Sequence, residues 1–269
     1  MFLNIENKAI ESFNRHFLEG VHCEIEFSEV TSETLINNEE AFKREFNRIG
    51  FASFKKIKEN SFAIEATGES GNIITSVNQQ GKFKGYLWES ADPKRNVQIN
   101  LTQLLTSDYS YSGFDNFHSN LNAELKIIEE LLGKRTVKKI GLKKVNKIQI
   151  SSVQSVEDIG ILFNSNLLGG VRSGIGEIED TVFTEEKLVF KKEQIVAILT
   201  ISLSKIKENV FGVKLELDCI CLSEFDSIDK VNETLSKINQ FQYNLFNWSI
   251  TEDFIKILRS SDDESINIS

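Results

Sequence analysis

The densest chemistry in this chain is basic. Seven Lys and Arg residues fall between positions 134 and 147, namely Lys134, Arg135, Lys138, Lys139, Lys143, Lys144 and Lys147, with no acidic residue among them. Clustered cations raise the local positive potential, so such a run can hold a phosphate-bearing ligand or an acidic partner even in an acidic protein. It can equally be a solvated strand face, or a charged sheet edge that discourages aggregation. Strand alternation puts Lys139, Lys143, Lys147 and Gln149 on one face and Ile140, Leu142, Ile148 and Ile150 on the other. Lys144 and Val145 interrupt that alternation, so a bulge or a strand end is expected there. Lys138, Lys139, Lys143, Lys144 and Lys147 are therefore the candidate anion- or partner-binding residues.

Other reactive types are sparser. Gly169-Gly-Val-Arg-Ser-Gly-Ile-Gly176 is glycine-rich but follows neither the dinucleotide nor the P-loop spacing, and no Lys-Ser/Thr follows it. Gly169, Gly170, Gly174 and Gly176 are read as a mobile loop that could contact a partner. His16, His22 and His118 are the only histidines, and none has metal-ligand spacing to another. Cys219-Ile-Cys221 points both thiols to one strand face, read as core; zinc or a Cys–His nucleophile would need His22 and Cys23 brought in by the fold. Glu216 and Asp218 share a strand face with Lys214, opposite Leu215, Leu217 and Cys219, and read as solvated. No catalytic residue, metal site or cofactor is assigned, and the reading leans away from an enzyme.

These residues need elements to position them. The chain has 269 residues, 40% hydrophobic and 26% charged, with a formal net charge of −9. That length allows one large domain or two small ones, and the charge argues against a general nucleic-acid coat protein. No apolar run approaches the roughly 20 residues of a membrane helix. The start lacks a basic segment followed by an apolar one, and there are three Cys, so a cytoplasmic protein without a disulfide framework is expected. The 20 phenylalanines read first as core packing, and second as an aromatic ligand pocket.

Ile5, Ala9, Ile10, Phe13 and Phe17 suggest a short helix over 4–18. Val21, Cys23, Ile25 and Phe27 alternate as a half-buried strand. A helix is expected over 37–49, with Asn38 as N-cap and Gly50 just past its end. Strands are expected at 61–66, 72–78, 83–90 and 97–105, then a helix over 114–132 closed by Gly133, then a strand over 138–150. Further strands are read at 159–163, 187–192, 195–203 and 210–222. A helix over 227–246 and a short helix over 250–258 follow, and the polar tail 260–269 is expected to be disordered.

Two blocks can be overlaid. Val97-Gln-Ile-Asn-Leu matches Val213-Lys-Leu-Glu-Leu, and Ser107-Asp-Tyr matches Ser223-Glu-Phe; the following helix stripes align Leu121 with Leu235. The expected fold class is α+β, with two related antiparallel-sheet halves, each covered by a long helix. The first half spans 1–150, the second 151–259, and the tail 260–269.

Several segments resemble a sporadically distributed bacterial family of uncharacterised proteins. They are residues 18–27, 86–90, 97–105 with Tyr109, 114–117, 140–148, 213–218 and 246–251. The family's middle segment reads Ile-Gly-Leu-Arg-Tyr-Ile-Asn-Arg-Ile, close to Ile140-Gly-Leu-Lys-Lys-Val-Asn-Lys-Ile148 here. The family usually has prolines near the first strand, and this chain has none there. The resemblance carries no catalytic residues. It implies an accessory setting such as phage defence or a toxin-linked system, by association alone. The leading expectation is a non-enzymatic protein-interaction module: a sensor, adaptor or immunity-type component with a protein partner. A nucleic-acid or nucleotide binder using residues 134–147 is the alternative, and an enzyme of unrecognised type a third. No membrane partner is expected, and a homo-oligomer is compatible with the reading.

Overall fold

Residues that alternate apolar and polar must bury one side of each strand, and here the buried rows of the described strands line one face of the sheet. The computed structural model describes residues 5–14, 17–67, 74–92, 94–169, 182–260 and 265–267, with backbone alone for 59–82, 265 and 267. In chain order the elements are β1 (Leu18–Phe27), α1 (Ser32–Asn37), α2 (Glu39–Arg48), β2 (Phe51–Thr67), β3 (Ile74–Ser90), β4 (Arg95–Asn100), β5 (Gln103–Asp108) and α3 (Phe114–Leu132). There follow β6 (Val137–Ser151), α4 (Val156–Gly160), β7 (Phe183–Lys192), β8 (Ile195–Lys207), β9 (Val210–Phe225), α5 (Ile228–Ser249), α6 (Glu252–Arg259) and β10 (Ser265–Asn267). The class is α+β and mostly sheet.

The strands form one sheet in the order β2-β3-β4-β5-β1-β6-β9-β8-β7, with β10 beside β6. All neighbours along that path are antiparallel, and β10 alone is parallel. The expectation of two sheets is corrected by one pairing. β1 and β6 join antiparallel, Cys23 opposite Leu142 and Ile25 opposite Ile140, and fuse the two meanders into one sheet. Register then carries the core straight across the strands. Trp88, Val97, Thr106, Cys23, Leu142, Cys219 and Ala197 form one row of successive partners, all buried. The helices collect over this side. α5 packs on β6 and β9, α3 lies between α2 and α5, and α1 and α2 cover β3 and β2. At the α2 end Phe46 stacks on Trp88, with ring centroids 4.4 Å apart, and Phe42 and Phe54 close around them. The core reading of these phenylalanines holds here.

Several elements differ from expectation, each for a local reason. Residues 97–105 are two strands, because the Asn100 side chain accepts from the Thr102 and Gln103 amides and turns the chain. Consequently 97–100 lie in β4, three strands from β6, whereas 213–217 lie in β9 directly beside β6; the overlaid segments occupy different positions. Around Ile159 the chain is helical, not extended, since Ser155 and Asp158 form a reciprocal capping box. Residues 5–14 form an irregular strap, not a helix. Their backbone polar groups bond to α5 side chains: the Lys8 and Glu11 amides donate to Asn244 and Tyr243, and Gln240 donates to the Lys8 carbonyl. In the tail, Ser265–Asn267 pair with β6 and bury Ile266.

One buried acid ties the first half together. Glu124 of α3 is fully buried, accepts from Arg95 at 3.0 Å and from the Thr106 hydroxyl. Burial pushes its pKa from 4.5 to about 7, against the opposing pull of Thr106 and Arg95. The folded chain therefore holds a proton there that the unfolded chain releases between these pH values.

Two outcomes follow. Leu235→Ala, on the buried stripe of α5, is expected to cost about 2–5 kcal/mol in urea unfolding, while the exposed Lys237→Ala changes stability by less than about 0.5 kcal/mol. Glu124 is expected to make stability fall as pH rises from 4.5 towards 7, and Glu124→Gln to flatten that slope, both read from unfolding curves across this pH range.

Candidate functional site

The pleat of β6 divides the five candidate lysines. Lys139, Lys143 and Lys147 lie on the sheet face away from the helices, and each meets a carboxylate. Lys139 pairs with Glu24 at 2.8 Å, Lys143 with Glu216 at 2.6 Å, and Lys147 with Glu19 at 3.4 Å. Glu216 is also held by Lys214. The local positive charge read from the sequence is thus largely matched by acids contributed from β1 and β9. Lys138 is exposed beside the register shift that separates Val137 from Lys139.

Lys144 goes the other way. The expected bulge is not on β6: its register with β9 runs unbroken from Lys139 to Ser151, and the irregularity sits on β1 between Leu18 and Gly20. Alternation therefore continues through Lys144 and sends its side chain to the helix side, opposite Val21 and Leu217 in the register. Val145 consequently faces the open side. The backbone is regular here, and the exception in the pattern is a lysine at a helix-side position.

Around Lys144 is a cavity of about 250 Å³. Its floor is polar: Lys144 and Asn146 from β6, Asn239 and Gln242 from α5. Its walls are largely aromatic, with Phe13 of the strap, Tyr111 and Phe114 at the start of α3, Phe246 of α5 and Phe254 of α6. The Lys144 Nζ donates to Asn239 Oδ1 at 2.5 Å and lies 5.7 Å from the Tyr111 ring centroid. Gln242 donates to the carbonyls of Leu142 and Leu217, at 2.6 and 2.9 Å, and its buried Oε1 has no partner among the described residues. Glu11 also borders the cavity, but both its oxygens are engaged by Arg259 at 2.7 Å. Asp108 lies two strands away behind Val21 and accepts from Ser110. Among the described residues no carboxylate comes within ion-pair distance of Lys144. Burial lowers its pKa from 10.5 to about 8.

Of the other candidate residues, Cys23, Cys219 and Cys221 are buried, and burial raises each thiol's pKa, that of Cys219 to about 12. His22 joins Ser107 Oγ at 2.9 Å on the open face, and burial lowers its pKa. His118 bonds Asn232 between α3 and α5. Gly169 is exposed near Glu186; Gly170, Gly174, Gly176 and His16 lie outside the described residues. The sequence reading missed Asn239 and Gln242. Their signal was available, since both occupy the buried stripe of α5, four residues after Leu235 and Ile238 respectively.

A half-buried amine with no counter-ion among the described residues is unfavourable for folding, so its removal is expected to stabilise. Lys144→Met, close in volume, is expected to raise the unfolding free energy at pH 7 by roughly 1–3 kcal/mol. In the wild type the unfolded chain binds the extra proton between pH 8 and 10.5, so the Lys144 contribution makes stability rise through that window. The variant is expected to lack this rise. Urea unfolding of both proteins at neutral and alkaline pH checks both statements.

No protein-family model matches the chain, and no curated protein matches it.

Proposed function

We propose that this chain is a non-enzymatic binding module of the sensor or adaptor type, whose ligand is a small molecule with an apolar body and one carboxylate-like anionic group. The observation that carries the reading is the Lys144 ammonium, set in an aromatic-walled cavity without a carboxylate partner among the described residues. A ligand anion supplies the missing counter-charge, and the rings of Phe13, Phe114, Phe246 and Phe254 suit an apolar body. The cavity lies just below the roughly 300–1,000 Å³ common for ligand sites, which favours a compact ligand. A polar group kept at a helix-side position against stability is the kind of local conflict that functional sites carry.

The strap supports a link from ligand to protein partner. Phe13 touches the cavity while Lys8 and Glu11 of the same segment are fastened to α5 and Arg259, so an occupant bears on a segment that reaches the surface. Membership of the sporadically distributed bacterial family, and an accessory or defence setting, belong to this proposal. So does descent of the two halves from one unit, which the shared order of strand, short helices, meander and long helix supports. The nucleic-acid reading has less support, because three of the strand lysines already face carboxylates.

Calorimetric titration with benzoate, phenylacetate and isovalerate, each beside its neutral amide, tests the reading. At least one acid is expected to bind about tenfold or more tightly than its amide, a difference of about 1.4 kcal/mol. Lys144→Met is expected to abolish that preference. A bound anion restores the charged amine, so above pH 8 binding should take up a proton, visible as heat that depends on the buffer. Absence of binding by every acid, or equal binding of acid and amide, would overturn the ligand class.

A further inference from the structure

The sheet ends at β7, whose sole strand neighbour among the described residues is β8. Natural edge strands are short, bulged or charged, because an open row of backbone donors and acceptors recruits further strands. β7 has ten residues paired to β8 without a register shift. Its apolar residues are partly uncovered: Phe183 is 59% and Val189 60% exposed. Phe183, Glu185, Lys187, Val189 and Lys191 share the open side with Ile198 and Thr200 of β8, while Thr184, Glu186, Leu188 and Phe190 share the helix side with Leu199 and Ile201.

We infer that β7 is a self-association edge, along which two copies of this chain join their sheets antiparallel about a two-fold axis. Register and charge select the pairing. Opposed residues in an antiparallel pair must lie on the same sheet face, so the axis passes through a residue rather than between two. With the axis at Leu188, Glu185 of each copy stands opposite Lys191 of the other, and Lys187 stands opposite Val189. On the helix side Leu188 meets its own copy, Glu186 meets Phe190, and Thr184 meets Lys192. No like charges meet. An axis at Lys187 or Glu186 opposes that charge to itself, and an axis at Val189 opposes Lys187 to Lys191. An axis at Phe190 leaves only the end of the strand to pair. The charge order of residues 185–192, acids first and lysines last, thus selects one register. Lysines placed only to repel other strands would not need the matching acids at the other end.

Sedimentation velocity across a wide concentration range, with hydrogen exchange on the same samples, tests this. The wild type is expected to dimerise, with amide protection in 183–192 rising with concentration and dimer affinity falling with added salt. Glu185→Lys opposes Lys to Lys at both ends and is expected to weaken the dimer by roughly tenfold or more. Lys191→Glu opposes acid to acid and should do the same. Mixing these two variants restores opposite charges at both positions, so a heterodimer of wild-type strength is expected. Circular dichroism of each variant establishes that it folds. A wild type that stays monomeric, a dimer indifferent to Glu185→Lys, or one protected elsewhere than β7 would overturn the inference.

Discussion

The antiparallel pairing of β1 with β6 is the constraint on which the rest of this structure depends. Each strand begins a meander and pairs with the last strand of its own meander, β5 for β1 and β9 for β6. Their contact converts two small sheets into one and fixes a common parity across it. Every buried row, from Trp88 to Ala197, inherits that parity, and so does the choice of which lysines meet solvent. A slip of one residue on β6 would exchange the two sets, placing Lys139, Lys143 and Lys147 under the helices.

The helix side is not wholly apolar, and its polar groups divide by how they are satisfied. Glu124 has Arg95 and Thr106, and serves to tie α3 to β4 and β5. Gln242 clamps two strand carbonyls, and Asn244 holds the strap. These are structural ties between elements distant in sequence. Lys144 differs because among the described residues its one hydrogen-bond partner is an amide that leaves the charge unmatched, and because the space beside it is open. The contrast, more than the presence of a buried charge, is what separates the proposed ligand site from a packing device.

The open face shows the opposite economy. Lys139, Lys143 and Lys147 stand beside Glu24, Glu216 and Glu19, so the face is charged yet locally balanced. Exposed pairs of this kind contribute little to stability, commonly about 0–1 kcal/mol each. Their effect is on solubility and on which surfaces attract a partner. A lysine-rich strand can therefore sit in an acidic protein without forming a basic patch.

By itself the sequence determined the local elements. Apolar spacing placed α3 and α5, Gly133 placed the end of α3, and alternation placed β1, β6 and β9. These are short-range properties, set by the helical and extended repeats. It did not determine the strap at 5–14, whose apolar residues have helical spacing but whose backbone groups bond to α5. It did not reveal the turn at Asn100, where one side-chain oxygen outweighs a strand pattern. The site was half legible. Lys144 was visible as an anomaly in β6, but its meaning required α5, α6 and the strap to close around it. The acids that match the open-face lysines come from β1 and β9, up to 128 residues away in the chain. Charge matching and enclosure are properties of neighbours in space, so only the tertiary structure could decide them.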